Sequence, residues 1–336
     1  MEKICRQIHE GMISSCASIP GKVQMENHMS MRIQDLPVLR MDFRLTFKTD
    51  PARLDWPTFT IRGALGYALK RLCCTMSISD CAACPRRAGC IYSYLFETPV
   101  ALEARMFKAH DRAPHPFVLV PGARLGQELG FGVVLFGEAV RYAGLFASAV
   151  LELADDGLGS RKARFDLQRI TVTGQERQIW EPGMAEPIIL PGRLAEFLKN
   201  GAPLDPSRPL EITLLTPLRL QVRRTLTRQP SFRDILAAGL RRISSVCLYH
   251  GGQTLTLAWR EILEEAAKVQ TLATALNWQP LERRSSRTGQ IMPSGGIVGS
   301  MTFAPEAHNF VEYLQPLTLM GLGKQTVFGL GRIGVG

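Results

Sequence analysis

No apolar run in these 336 residues approaches the ~18–20 that a membrane-spanning helix requires, so a bilayer partner is not expected. The N-terminal segment lacks an apolar h-region and a small-residue cleavage site, and nothing marks the chain for export. Eight cysteines in that setting argue against a disulfide framework and for a reducing, cytoplasmic location. The P-loop spacing G-x-x-x-x-G-K-[ST] is absent, and no G-x-G-x-x-G opens a helix near the glycine-rich C-terminus. Apolar periodicity is missing before Leu36. Residues 1–35, with Met25, Met29 and Met31, therefore read as a leader expected to be disordered. Negative charge is also short, 30 acidic side chains against 40 basic ones, for a net charge of +10.

That excess is clustered. Arg219, Arg223, Arg224, Arg228, Arg233, Arg241 and Arg242 fall in one segment, and Arg283, Arg284 and Arg287 in another. A basic chain with clustered arginines favours a polyanionic partner, because the planar guanidinium matches phosphate in a bidentate way.

A hydrophobic content of 46% and a length of 336 residues suit a globular chain with two cores. Leu39, Met41, Phe43, Leu45 and Phe47 alternate with polar residues, predicting a strand. Ala64, Leu65, Ala68, Leu69 and Leu72 have helical spacing within Ile61 to Leu72. Residues 132–137 read as a buried strand, residues 139–153 as a helix and residues 165–172 as a strand. The second half repeats the theme, with a strand at 210–220 and helices at 232–249 and 257–275. Strands near 279–284 and 296–303, a helix near 310–320 and a last strand over 327–335 complete it. The expected fold class is α+β, with two similar halves, 36–205 and 206–336, compatible with ferredoxin-like units.

Two local constellations stand out. Cys74, Cys81, Cys84 and Cys90, with Cys73 as a possible substitute for Cys74, lie in an insert spanning 73–92 among polar residues and suit a tetrahedral thiolate site. A structural zinc ion or an iron–sulfur cluster fits that ligand count, and a closed sulfur shell leaves no catalytic position. In the tail, Gly321, Gly323, Gly329, Gly331 and Gly334 surround Lys324, Gln325, Thr326 and Arg332. Glycines this dense permit φ > 0 and close backbone approach to a ligand such as phosphate.

In order and spacing, four stretches resemble the CRISPR-associated repeat-processing endoribonucleases of the RAMP (repeat-associated mysterious protein) superfamily. They are Ile61-Arg62-Gly63-Ala64-Leu65-Gly66; the cysteine insert with Tyr92 to Glu97 and Pro114 to Val118; Arg284 to Arg287 with Gly295 to Gly299; and Gly321 to Arg332. The cysteines are similar to those of one branch of that family. The resemblance, over roughly residues 38 to 335, implies two tandem ferredoxin-like domains that bind one CRISPR repeat RNA. It implies cleavage without a catalytic metal, by attack of the ribose 2′-OH on the adjacent phosphate, leaving a 2′,3′-cyclic phosphate. A non-catalytic subunit holding guide RNA among CRISPR effector-complex partners is the alternative it allows.

That reaction needs a base, an acid and a cation on the phosphorane. The first helix carries Tyr67 but no histidine. His115, fixed between two prolines, and His110, beside Lys108 and Arg112, are the histidine candidates, with Tyr67 as the third. His250 reads instead as a helix-terminal residue favoured by the macrodipole. The expected RNA contacts are Lys324, Gln325, Thr326 and Arg332 in the tail, Arg283, Arg284, Ser286 and Arg287 near a strand, and Arg223, Arg224 and Arg228 in a hairpin-like stretch.

Overall fold

The computed structural model describes residues 32–51, 54–76, 78, 80–99, 113–173, 177–182, 192–198, 203–285 and 289–336. His110, Ser286, Arg287 and most of the expected leader lie outside the described residues. Among the described residues, no helix is long and apolar enough to cross a membrane.

The first half runs β1 (Pro37–Phe47), α1 (Pro57–Cys73), β2 (Phe117–Leu125), β3 (Glu128–Phe136), α2 (Ala143–Asp156) and β4 (Phe165–Val172). Its strands order β2-β3-β1-β4, all neighbours antiparallel, with β5 (Arg177–Trp180) on the outer edge and β6 (Gly192–Arg193) against β1. The second half has β7 (Leu210–Leu218), α3 (Phe232–His250), α4 (Trp259–Ala266), β10 (Thr271–Gln279), β13 (Gly296–Phe303) and β14 (Ile333–Val335). They form a sheet ordered β10-β13-β7-β14. Two small ribbons branch from it: β8 (Gln221–Val222) with β9 (Thr225–Leu226), and β11 (Glu282–Arg284) with β12 (Ile291–Pro293). Each half is thus a βαββαβ unit with its first strand in the sheet interior, so the chain is a tandem ferredoxin-like α+β protein.

Local sequence explains the elements. Pro57 opens α1, where its missing N–H costs nothing, and Ile61, Leu65, Ala68 and Leu69 form the buried stripe. Ser231 and Asp234 build a reciprocal capping box at the start of α3. The inner residues Leu39 to Phe47 of β1 pack under α1 and α2. The other face of that sheet, through Val38, Val118, Val120, Val134 and Phe136, joins the core of the second half beside Ile212, Ile235, Leu240 and Phe303. With both faces buried, β3 reads as an apolar run rather than an alternation.

Three expectations need correction. The helix expected over 257–275 ends at Ala266, and Thr271–Gln279 is the edge strand β10, paired with β13 from Gln279 back to Thr271. Leu272, Ala273, Ala275 and Leu276 suit a helix, but cross-strand pairing overrides that preference. The helix expected near 310–320 breaks into a 3₁₀ turn and two four-residue helices, interrupted by Pro316. The last strand spans only Ile333–Val335, because positive φ at Gln325 (64°), Gly329 (82°) and Gly331 (71°) turns the preceding segment into a looped latch.

Candidate nucleic-acid interface at the domain junction

The glycine-rich segment folds back onto the first half. Phe328 is its anchor. Its carbonyl accepts hydrogen bonds from Thr58 Oγ1 (2.7 Å) and Trp56 Nε1 (3.1 Å) at the start of α1. Its ring meets Phe59 edge-on at 5.7 Å, and Val327 enters the first core. Thr326 is buried, Gln325 is half-buried with an Oε1 that no protein donor meets, and Lys324 alone of the three is exposed. Arg332 is half-buried and set toward Arg40 and Asp42 of β1, its backbone N–H donating to Thr216 Oγ1 at 2.8 Å. The segment is therefore an interdomain latch presenting one free lysine rather than an open cradle of backbone amides.

Several exposed arginines lie on or beside the ribbons of the second half. Arg223 (φ 48°) and Arg224 (φ 70°) occupy both central positions of the two-residue β8–β9 turn, where Val222 pairs with Thr225. Two positive φ values define a type I′ turn, which ordinarily takes Asn-Gly. Arg228 stacks on Trp278 of β10, with Cζ 4.8 Å from the ring centroid. Arg284 is exposed and donates from Nε to the Gly289 carbonyl at 3.3 Å. Arg283 turns inward, its Cζ 4.5 Å from the Phe328 ring centroid.

Ion pairs account for only part of the cationic surface of each half. In the first, Lys48 pairs with Asp166, Arg71 with Glu152 and Asp156, Arg124 and Arg161 with Asp50, Arg141 with Glu138, and Arg193 with Asp35. In the second, the pairs Arg208–Asp205 and Lys268–Glu265 lie apart from the basic ribbons. Arg223, Arg224, Arg228, Arg284 and Lys324 make no ion pair with any described carboxylate.

The candidate bases sit differently. Tyr67 is 55% exposed on α1. His115 keeps part of its surface accessible, yet burial dominates and pushes its pKa down to about 3, helped by the positive charges of Arg62 and Arg242 and by His250, while the Leu95 backbone acts in the opposite sense. Thr98 Oγ1 lies 3.2 Å from the Tyr94 carbonyl and 2.9 Å from His115 Nδ1, the second contact taking its direction from the imidazole tautomer.

His250 departs from its expected role. It does end α3, but it is only 2% exposed and neutral. Burial lowers its pKa to about 4, against a smaller upward pull from its bond to Pro114. Nε2 donates to the Pro114 carbonyl at 2.8 Å and Nδ1 accepts from the Tyr94 hydroxyl at 3.3 Å. Sequence reasoning also passed over Arg62 and Arg242. Arg62 lies between the rings of Phe96 (4.7 Å) and Phe328 (5.2 Å). Arg242 donates to the Met320 carbonyl at 3.1 Å, and burial lowers its pKa to about 10. Their partners are remote in sequence, so no local signal marks them.

Cys74, Cys81, Cys84 and Cys90 are free thiols of intermediate burial, and Cys74 Sγ lies 2.8 Å from the Met76 carbonyl. Among the described residues, no three His, Cys, Asp or Glu side chains converge as a metal site.

Residues 36–191 match a family model described as an N-terminal domain, and residues 212–333 match that of the CRISPR-associated endoribonuclease Cas6. No curated protein matches the chain. Among solved structures, a Cas6 (TTHB231) product complex is 18% identical with a TM-score of 0.53, covering 88% of this chain and 98% of that one. Thermus thermophilus Cas6 (TTHB231) is 17% identical with a TM-score of 0.51, over 89% and 98%. A Cas6-RT-Cas1–Cas2 complex is 12% identical with a TM-score of 0.53, over 91% of this chain and 29% of that one. At such identities these structures share the fold. Residues 212–333 therefore match the CRISPR-associated endoribonuclease Cas6 model, and the whole chain shares the tandem ferredoxin-like fold of the solved Cas6 structures.

Proposed function

We propose that the chain grips a CRISPR repeat RNA on the basic ribbons of its second half and cleaves it without a catalytic metal. The ribose 2′-oxygen bonds to the adjacent phosphorus, its proton passes to a base, the P–O5′ bond breaks, and O5′ takes a proton. The products are a 2′,3′-cyclic phosphate and a 5′-OH. The observation that carries this reading is the set Arg223, Arg224, Arg228, Arg284 and Lys324, exposed on the second half without an ion pair to any described carboxylate, where a phosphate backbone supplies counter-charge. Partners within a CRISPR effector complex belong to the same proposal.

His115 is the preferred base because it is a histidine at the domain junction beside Arg62 and Arg242. A conjugate acid near pH 3 is weak for that task. An RNA phosphate beside Arg62 and Arg242 would offset their charge and raise it. Cleavage by His115→Ala at the wild-type rate would remove it from the role and leave Tyr67, with His110 as the remaining histidine candidate.

A structural zinc ion or iron–sulfur cluster at Cys74, Cys81, Cys84 and Cys90 is proposed on ligand type and count alone, with no step assigned to it. Elemental analysis of the purified protein should give about one zinc, or an iron and sulfide complement, per chain. Metal-free protein would refute it.

The β8–β9 turn offers a test of the RNA surface. Replacing Arg223 by Asn and Arg224 by Gly supplies the residues a type I′ turn prefers. This should raise stability by about 1 kcal/mol by relieving the left-handed backbone. The same double variant should weaken repeat-RNA binding and reduce the slope of log K against log salt by about 1–2, for one or two lost phosphate contacts. Unchanged RNA affinity at two salt concentrations would remove this turn from the interface.

A further inference from the structure

The ring of Phe328 carries a guanidinium from each half of the protein. Arg62 of α1 lies 5.2 Å from its centroid and Arg283 of β11 lies 4.5 Å from it, while Phe96 stacks on Arg62 from the other side at 4.7 Å. Neither guanidinium makes an ion pair with a described carboxylate. The Nε of each is shielded from solvent and meets no protein acceptor. Arg283 spends one Nη2 bond on the Met292 sulfur at 3.3 Å, a weak acceptor. Arg219 and Arg242 adjoin the same latch, through the Lys324 N–H to Arg219 O bond and the Arg242 bond to Met320, and their Nε groups also lack acceptors.

Bringing like charges together away from water opposes folding unless something compensates. Cation–π contact with two phenyl rings offsets part of that cost and fixes the guanidinium planes. It supplies no hydrogen-bond acceptor, so the directional demand of both forks is unmet by the protein. A tetrahedral phosphate, with several acceptor oxygens and negative charge, meets that demand.

We propose that Arg62 and Arg283, held on the shared Phe328 ring, form a clamp for one phosphodiester of the bound RNA. The clamp exists only when the two halves are latched, because Phe328 reaches α1 through its bonds to Thr58 and Trp56. RNA binding is thereby coupled to the closed junction. The identity of the anion as RNA rests on the proposed function, whereas a phosphate site at this ring does not.

The test uses Arg62→Met and Arg283→Met in the full chain, with Arg62→Lys as the conservative variant. A repeat RNA carrying a 2′-deoxy nucleotide at the cut reports binding without turnover. Each methionine variant should bind it about 10–100-fold more weakly, the loss expected for a charge-assisted hydrogen bond. Arg62→Lys should recover only part, since an ammonium cannot stack and fork as a guanidinium does. In the absence of RNA, both methionine variants should melt no lower than wild type, because each removes a shielded cation that makes no ion pair with a described carboxylate, Glu97 acting on Arg62 only at a distance. Inorganic phosphate should raise the wild-type melting temperature more than chloride at equal ionic strength, and Arg62→Met should abolish the difference. Wild-type RNA affinity in both methionine variants overturns the clamp, as does a lowered melting temperature in both, which would mark a purely structural role. Failure of the wild type to bind repeat RNA while the phosphate effect persists would overturn the RNA assignment and leave the phosphate site standing. Loss of the phosphate effect in the wild type overturns the site itself.

Discussion

Gly331→Ala is expected to lower the unfolding free energy by about 3 kcal/mol, the sum of a left-handed backbone penalty and a local overpacking penalty. Gly331 has φ 71°, its N–H donates to the Pro217 carbonyl at 3.0 Å, and its own carbonyl accepts from the Leu322 N–H at 2.8 Å. A Cβ there would overlap the Leu322 carbonyl oxygen, a backbone atom with little freedom to retreat. The same turn carries Gly329, whose Cβ would come within 2.8 Å of the Pro121 ring in the first half. The strain would therefore spread to the latch and to the Phe328 ring. Gly89→Ala is the control, since nothing lies within 4 Å of the position its Cβ would take. Urea unfolding of both variants beside wild type reads the difference. A Gly331→Ala midpoint equal to that of Gly89→Ala would contradict the account of the latch.

The second large effect is loss of stability in acid. His250 has a folded pKa of about 4, below the ordinary histidine value of 6.5, so the unfolded chain binds the extra proton first. Its contribution is fully present above about pH 6.5 and is lost as pH falls from there toward 4. The difference corresponds to about 3 kcal/mol for the full shift. The cause is burial, which penalises the charged imidazolium, and protonation of Nδ1 would also turn the acceptor of the Tyr94 hydroxyl into a donor while Nε2 stays on Pro114. Those bonds join α3 to the segment entering β2, beside Gly137, whose φ of 58° lets the backbone approach the His250 carbonyl. His250→Phe should be less stable than wild type at pH 7.5 and show a shallower decline between pH 6.5 and 4. Equal slopes for the two proteins would show that His250 is not the titrating group.

Much of the fold was legible in the chain. The alternation through Leu39 to Phe47 and the helical stripe from Ile61 to Leu69 both reflect one-sided burial, which leaves a period in the sequence. Helix 257–275 misled because Leu272 to Leu276 suit a helix, and only the partner strand β13 decides otherwise. The site was less legible, for a different reason. Arg223, Arg224, Arg228 and Lys324 could be named because exposed basic residues in turn-rich segments are visible locally. Arg62, Phe96, Phe328 and Arg283 come from four separate segments, and nothing near any one of them announces the ring that unites them. His250 was misread for the same reason, since Pro114 and Tyr94, which make it buried and neutral, belong to the other half.

The central claim is that a 2′-hydroxyl of the RNA itself cuts the repeat, with no metal in the reaction. Its most direct test is cleavage of the cognate repeat in EDTA, beside the same RNA with a 2′-deoxy nucleotide at the cut. The account predicts one cut in the native RNA, a 2′,3′-cyclic phosphate end, and a deoxy RNA that is bound but intact. Binding of both RNAs with cleavage of neither would contradict it and recast the basic ribbons as a guide-RNA holder.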